Sequence, residues 1–207
     1  MAGWTKKNFQ ADPVTEFIPG PNLGRLQASL SGAVILALDV SGSMSGDRLV
    51  QAKRGCHRFI DEAVAENYSV GVILWHHGVS AFTPPNRSPR HSRNMIESAS
   101  ASGGNDIVPC LQDAHAALMA APAGDRVVAV FGDGDLGNPR SARDAASVLI
   151  TDGIRILTCG LGEESAAQLD VISTETVDTP RAATSESIAE SIASMASGLV
   201  RKASVQS

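Results

Sequence analysis

The stretch Ala33-Val-Ile-Leu-Ala-Leu-Asp39-Val-Ser41-Gly-Ser43-Met-Ser-Gly46 decides the fold. Ala33 to Leu38 is an unbroken apolar run, which fits a strand buried on both faces of a sheet. The run ends in a carboxylate, Asp39, and passes into a Ser/Gly-rich turn. Beyond the turn, Leu49, Ala52, Cys56, Phe59, Ile60 and Ala63 lie on one face of a helix. A strand, a turn and an amphipathic helix in that order form the opening of a βαβ unit.

The same alternation continues. Val70 to Trp75 reads as a second buried strand, and Gly78 allows a reversal into a short antiparallel edge strand, Val79 to Phe82. Ser88-Pro89 reads as an N-cap followed by proline at the first helical position, predicting a helix to about Glu97. Ile107, Leu111, Ala114 and Leu118 define another helical face. Arg126 to Phe131 is a third buried strand, ending at Gly132-Asp133-Gly134. Asn138-Pro139 repeats the cap-then-proline signal, with Gly153 as the stop of that helix. Ile154 to Cys159 is a fourth strand, followed by a short helix near Glu163 to Val171 and a brief strand near Thr174 to Val177. Ile188, Ile192, Met195 and Leu199 mark the last helix. The expected fold is therefore α/β, a doubly wound and mostly parallel sheet with one short antiparallel edge strand and helices on both faces.

The chain of 207 residues divides into an N-terminal arm (1–31), one domain (32–200) and a short tail (201–207). Pro13, Pro19 and Pro21 break regular structure in the arm, yet Trp4, Phe9 and Phe17 are three of the eight aromatics. So apolar an arm is expected to pack on the domain. The net charge of −5 and the 4% aromatic content argue against a nucleic-acid partner. Ala33 to Leu38 is too short to span a bilayer, and no signal-peptide run follows Lys6 and Lys7. Cys56, Cys110 and Cys159 form no metal or redox motif and read as reduced core residues, so the cytoplasm is the expected compartment.

In doubly wound folds ligands bind beyond the carboxyl ends of the strands. Asp39 and Asp133 both end strands, and two such anions in one crevice repel unless a cation joins them. Asp39, Ser41 and Ser43 are spaced by two, so an extended turn can point all three one way. Hard oxygens of this kind suit Mg²⁺, Mn²⁺ or Ca²⁺.

These residues resemble the opening strand and metal-ion-dependent adhesion site of a von Willebrand factor type A domain. The likeness continues in Gly103-Gly104-Asn105-Asp106-Ile107, where the family usually has a metal-binding threonine, and in Val127 to Gly134, where its second aspartate matches Asp133. The resemblance spans about Gly32 to Val200. It implies a metal set of Asp39, Ser41, Ser43, Asn105 and Asp133, with Asp106 as the alternative to Asn105 if the loop register differs by one. It further implies binding without turnover: a divalent cation recruits an aspartate or glutamate of a protein partner. Cytoplasmic bacterial members of the family often work beside ATPases, chelatases or stress and resistance systems.

Three other readings compete. Gly132 to Gly137 matches G-x-G-x-x-G, but Asp133 and Asp135 would face a pyrophosphate with like charge. A Mg²⁺-dependent hydrolase or phosphatase could use Asp39 as nucleophile, although Ser41 stands where a second carboxylate is needed. A structural subunit could hold metal for stability alone. His76 and His77 lie at the expected crevice rim as acid/base groups or partner contacts, and His57, His91 and His115 are expected on helix surfaces.

Overall fold

The computed structural model describes residues 31–175, 180–184 and 186–199. The arm and the tail lie outside these residues, apart from Ser31. In chain order the elements are β1 (Gly32–Asp39), a 3₁₀ turn (Gly42–Met44), α1 (Asp47–Ala65), β2 (Tyr68–Trp75), β3 (Val79–Asn86) and α2 (Arg90–Ser98). Then follow α3 (Val108–Ala120), β4 (Asp125–Gly132), α4 (Pro139–Thr151), β5 (Arg155–Leu161), α5 (Glu163–Asp170), β6 (Ala182–Ala183), α6 (Ile188–Ser194) and a closing 3₁₀ turn (Met195–Gly198).

The six strands lie in the order β3-β2-β1-β4-β5-β6. All neighbours are parallel except β2 and β3. The register sets Asp39 opposite Trp75 and Leu38 opposite Phe131, so β1, β2 and β4 end level with one another. The chain turns one way from β1 to β2 and the other way to β4, which makes the end of β1 the switch point where α/β sheets bind ligands.

Side-chain alternation along β1 divides the core into two layers. Val34, Leu36 and Leu38 join Phe59 and Ile60 of α1, Ile96 of α2 and Ile188 and Ile192 of α6. Ala33, Ile35 and Ala37 join Leu111 of α3, Ala146 and Leu149 of α4 and Leu169 of α5. A strand apolar at every position is thus explained by helices on both faces. The close approach of α1 to α6 depends on Gly55, where an added Cβ would lie 2.8 Å from the Ala189 carbonyl oxygen.

Local signals held in some places and failed in others. Asn138 caps α4 as expected, its Oδ1 accepting from Arg140 N (3.0 Å) and Ser141 N (3.2 Å), with Pro139 at the first helical position. Ser88 does not cap α2. Pro89 occupies the N-cap, and Ser88 N instead donates to Asn86 Oδ1 at 2.8 Å, closing an Asx turn at the end of β3. The edge strand β3 runs on to Asn86, because Pro84 and Pro85 cost an edge strand none of the donors its partner needs. Thr174 and Glu175 are not a strand; residues 176 and 177 lie outside the described set, and the sixth strand is Ala182–Ala183. Thr174 still copies one rung of a ladder. Its N–H donates to Ile156 O (2.9 Å) and its Oγ1 accepts from Ile156 N (2.8 Å). His57 and His115 are half-buried, paired with Glu97 and Asp152 at 2.6 Å in each case, whereas His91 is exposed.

Candidate metal centre

The site is built from the ends of β1 and β4 and the loop before α3. Asp39 is fully buried, yet its carboxylate is held by backbone dipoles. Its Oδ1 accepts from Ser41 N at 2.7 Å and its Oδ2 from Asp133 N at 3.2 Å. Gly132 makes the second contact possible, since a Cβ there would lie 3.0 Å from Asp39 Oδ2. Burial pushes the Asp39 carboxyl up to about 6, and the charge of Asp133 adds to the rise, while the hydrogen bonds from Ser41 and from Asp133 N–H pull it back.

The two serines link the carboxylates. Ser41 Oγ and Ser43 Oγ lie 2.9 Å apart, and Ser43 Oγ donates to Asp133 Oδ2. Asn105 approaches from the other side. Its Nδ2 donates to Asp133 Oδ1 at 3.1 Å and to the Asp135 carbonyl oxygen at 2.9 Å. A carbonyl oxygen can only accept, so this second bond sets the amide with its nitrogen toward Asp133. Asp106 turns elsewhere: its Oδ1 accepts from Val108 N at 3.0 Å and serves the start of α3. The structure therefore brings Asp39, Ser41, Ser43, Asn105 and Asp133 together and leaves the Asp106 carboxylate with the helix.

The loops are tied to one another by backbone. Gly42 N donates to Gly103 O (3.1 Å), Ser102 N to Val40 O (2.8 Å) and Asp106 N to His76 O (2.7 Å). His76 and His77 stack with ring centroids 4.2 Å apart at the rim. Burial, then the charge of the neighbouring His77, lowers the His76 pKa. Two contributors lacked a signal in the sequence. Ser165 of α5 donates to the Asp133 carbonyl at 2.5 Å, and Arg48 of α1 donates to the Ser43 carbonyl at 3.1 Å. Ser165 reaches Asp133 from 32 residues away, whereas Arg48 bonds back to the turn just before its own helix. A groove of about 470 Å³ next to Asp133 is lined by Arg48, Leu161, Gly162, Ser165, Ala183 and Thr184.

The donor set fits a hard divalent cation. It offers two carboxylates and two hydroxyls, all oxygen, with space for water. Among the described residues no lysine or arginine pairs with Asp39 or Asp133, and no group of three His, Cys, Asp or Glu residues is placed to bind metal. The glycines of the G-x-G-x-x-G segment have packing reasons. A Cβ on Gly134 would meet Ser165 Cα at 2.6 Å, and one on Gly137 would meet Asn105 O at 2.8 Å.

Residues 34–136 match the family model of the von Willebrand factor type A domain. The chain carries a von Willebrand factor type A domain. Asp39, Ser41, Ser43, Asn105 and Asp133 all lie within the matched span. Solved structures match a larger share of the chain than that span. The von Willebrand domain of the type V pili tip protein Mfa5 from Porphyromonas gingivalis superposes with a TM-score of 0.71 at 12% identity, over 82% of this chain and 95% of that one. The conserved hypothetical protein BatB from Bacteroides thetaiotaomicron gives 0.59 at 20% identity, over 81% and 100%. The pilus adhesin SpaC from Lactobacillus rhamnosus GG gives 0.68 at 14% identity; 82% of this chain is matched, but only 30% of the adhesin is spanned. No curated protein matches the sequence. Among the described residues no helix is long and apolar enough to cross a membrane.

Proposed function

We propose that this type A domain is a divalent-cation-dependent protein interaction module that recruits an aspartate or glutamate of a partner protein. One observation carries the reading: two carboxylates and two serine hydroxyls converge at the switch point, and among the described residues no lysine or arginine forms an ion pair with either carboxylate. Mg²⁺, Mn²⁺ or Ca²⁺ bound there would balance the two anions and offer an open position to a partner carboxylate. Asp39, Ser41, Ser43 and Asp133 would hold it. Asn105 would act through Asp133, which its amide already orients. Two pilus proteins among the structural neighbours, one of them an adhesin, are in keeping with a binding role. Three free, buried cysteines favour a reducing compartment, and we assign the module to the cytoplasm.

The hydrolase reading finds no support in the geometry. Asp39 is fully buried and backbone N–H groups hold both its oxygens, so its carboxylate is fixed in place and shielded from an incoming substrate. The test of the binding reading is capture from native lysate with Mg²⁺ present and elution by EDTA. Asp39→Ala should abolish the EDTA-eluted partner while the circular dichroism spectrum stays that of the parent. Partner retention by Asp39→Ala, or in EDTA, would sink the proposal.

A further inference from the structure

The end of the sheet opposite the metal centre holds a groove of about 390 Å³ lined mostly by alanine and proline, with Ser31, Ser69 and Arg87 also in its wall. Its walls include Ala33 of β1, Pro84 and Pro85 of β3, and Ala117, Ala120 and Ala121 of α3. Small alanines on the helix and two prolines on the strand leave space between elements that otherwise pack. Phe82, on β3 two residues before Pro84, and Met119, next to Ala120, are 39% and 45% exposed, so apolar surface extends past the groove itself.

Two observations name the occupant. Ser31, the residue where the N-terminal arm enters the domain, is itself in the wall of the groove. The arm before it carries Trp4, Phe9 and Phe17, three of the eight aromatics of the chain. Charge then chooses among them. Arg87 stands in the groove wall and its guanidinium donates only to the neutral Asn67 Oδ1, at 3.0 Å, with no acidic partner among the described residues. Trp4 and Phe9 flank Lys6 and Lys7, which carry the same sign as Arg87, whereas Phe17 follows Glu16. Pro84 and Pro85 lack N–H donors, so this part of the edge cannot take an added strand and must recognise side chains.

We propose that Glu16-Phe17-Ile18 of the arm docks in this groove, with Phe17 and Ile18 against the alanines and prolines and Glu16 beside Arg87. The connecting residues 19–30 can span roughly 40 Å when extended, ample to fold back from Ser31. A tether of that length gives the segment an effective concentration on the order of millimolar, so a small contact suffices. The inference is independent of the candidate cation site at the other end of the strands.

The test is disulfide capture in the full chain. Phe17→Cys is paired with Ala120→Cys in the groove wall, or with Val148→Cys, which is 52% exposed on α4. Cys56, Cys110 and Cys159 are buried and do not compete. Under mild oxidation the groove pair should link within one chain at least tenfold faster than the Val148 pair. Glu16→Lys should slow that linkage several-fold, and Arg87→Glu added to it should restore the rate. Equal rates for the two pairs, linkage only between molecules, or no recovery on double charge reversal overturns the proposal.

Discussion

Two aspartates are buried at opposite ends of neighbouring central strands, and the protein treats them differently. Asp125, at the start of β4, accepts from Arg155 through Nε (3.2 Å) and a second guanidinium nitrogen (2.6 Å), and from the Tyr68 hydroxyl (2.5 Å). Arg155 also donates to the carbonyls of Gly198 (2.7 Å) and Leu199 (3.2 Å), so the pair anchors the C-terminal turn to the sheet. Burial, then the hydrogen bond to Asp125, holds the Tyr68 phenol above its ordinary range. Asp39, at the end of β1, has only neutral donors and a second carboxylate nearby. A buried charge with a built-in partner serves the fold, and one left for dipoles to hold is what the proposed binding role requires.

Breaking the structural end should have the largest effect. Arg155→Met removes the charge opposite Asp125 and should destabilise the domain by about 3–5 kcal/mol, the usual cost of stranding a buried partner. Urea unfolding measures it, and a loss under 1 kcal/mol would place Asp125 among solvated groups. Gly32→Ala attacks the same network through space. A Cβ on Gly32 would lie 2.1 Å from the Tyr68 ring, which must then leave Asp125, at a cost of about 1–3 kcal/mol.

The contrast between these two ends also marks what could be read from the residues alone. β1, its terminal Asp39 and the Asn138 cap depend on neighbours in the chain, and local pattern reveals them. The Tyr68–Asp125–Arg155 network joins residues 57 and 30 positions apart, and no periodicity reports such a meeting. Ser165 reaches Asp133 for the same reason unseen. Asp106 is different: its bond to Val108 N spans two residues, so an Asx pattern before a helix would have directed its carboxylate there. Thr174 failed as a strand signal because one residue bonding to Ile156 satisfies the edge without extending it.

At the binding end the sign of the pH effect is reversed from that of an ion-paired carboxylate. The Asp39 carboxyl rises from 3.8 to about 6 in the folded chain, so the folded state holds its proton more tightly than the unfolded one. Its contribution is present below pH 4 and is lost as pH rises through 6. In EDTA, the stability of the parent relative to Asp39→Asn should therefore fall between pH 4 and 7, by on the order of 2–3 kcal/mol at most. Urea midpoints for both proteins across that range measure it. A difference that grows with pH would mean that Asp39 has a cationic partner, and the contrast with Asp125 would collapse.

The smallest effect should come from Asn105, because it touches the centre through another side chain. Its amide donates to Asp133 Oδ1 and to the Asp135 carbonyl, fixing the carboxylate without presenting an oxygen to it. Asn105→Ala frees Asp133 to rotate while Ser43 still donates to its other oxygen. Loss of such an orienting group costs metal affinity about 10-fold. Calorimetric titration with Mg²⁺ distinguishes the roles: Asp39→Ala should leave no measurable binding, and Asn105→Ala a weakened isotherm of the same stoichiometry. Equal abolition by both would make Asn105 a direct ligand, which requires its amide to turn over and give up the bond to Asp135.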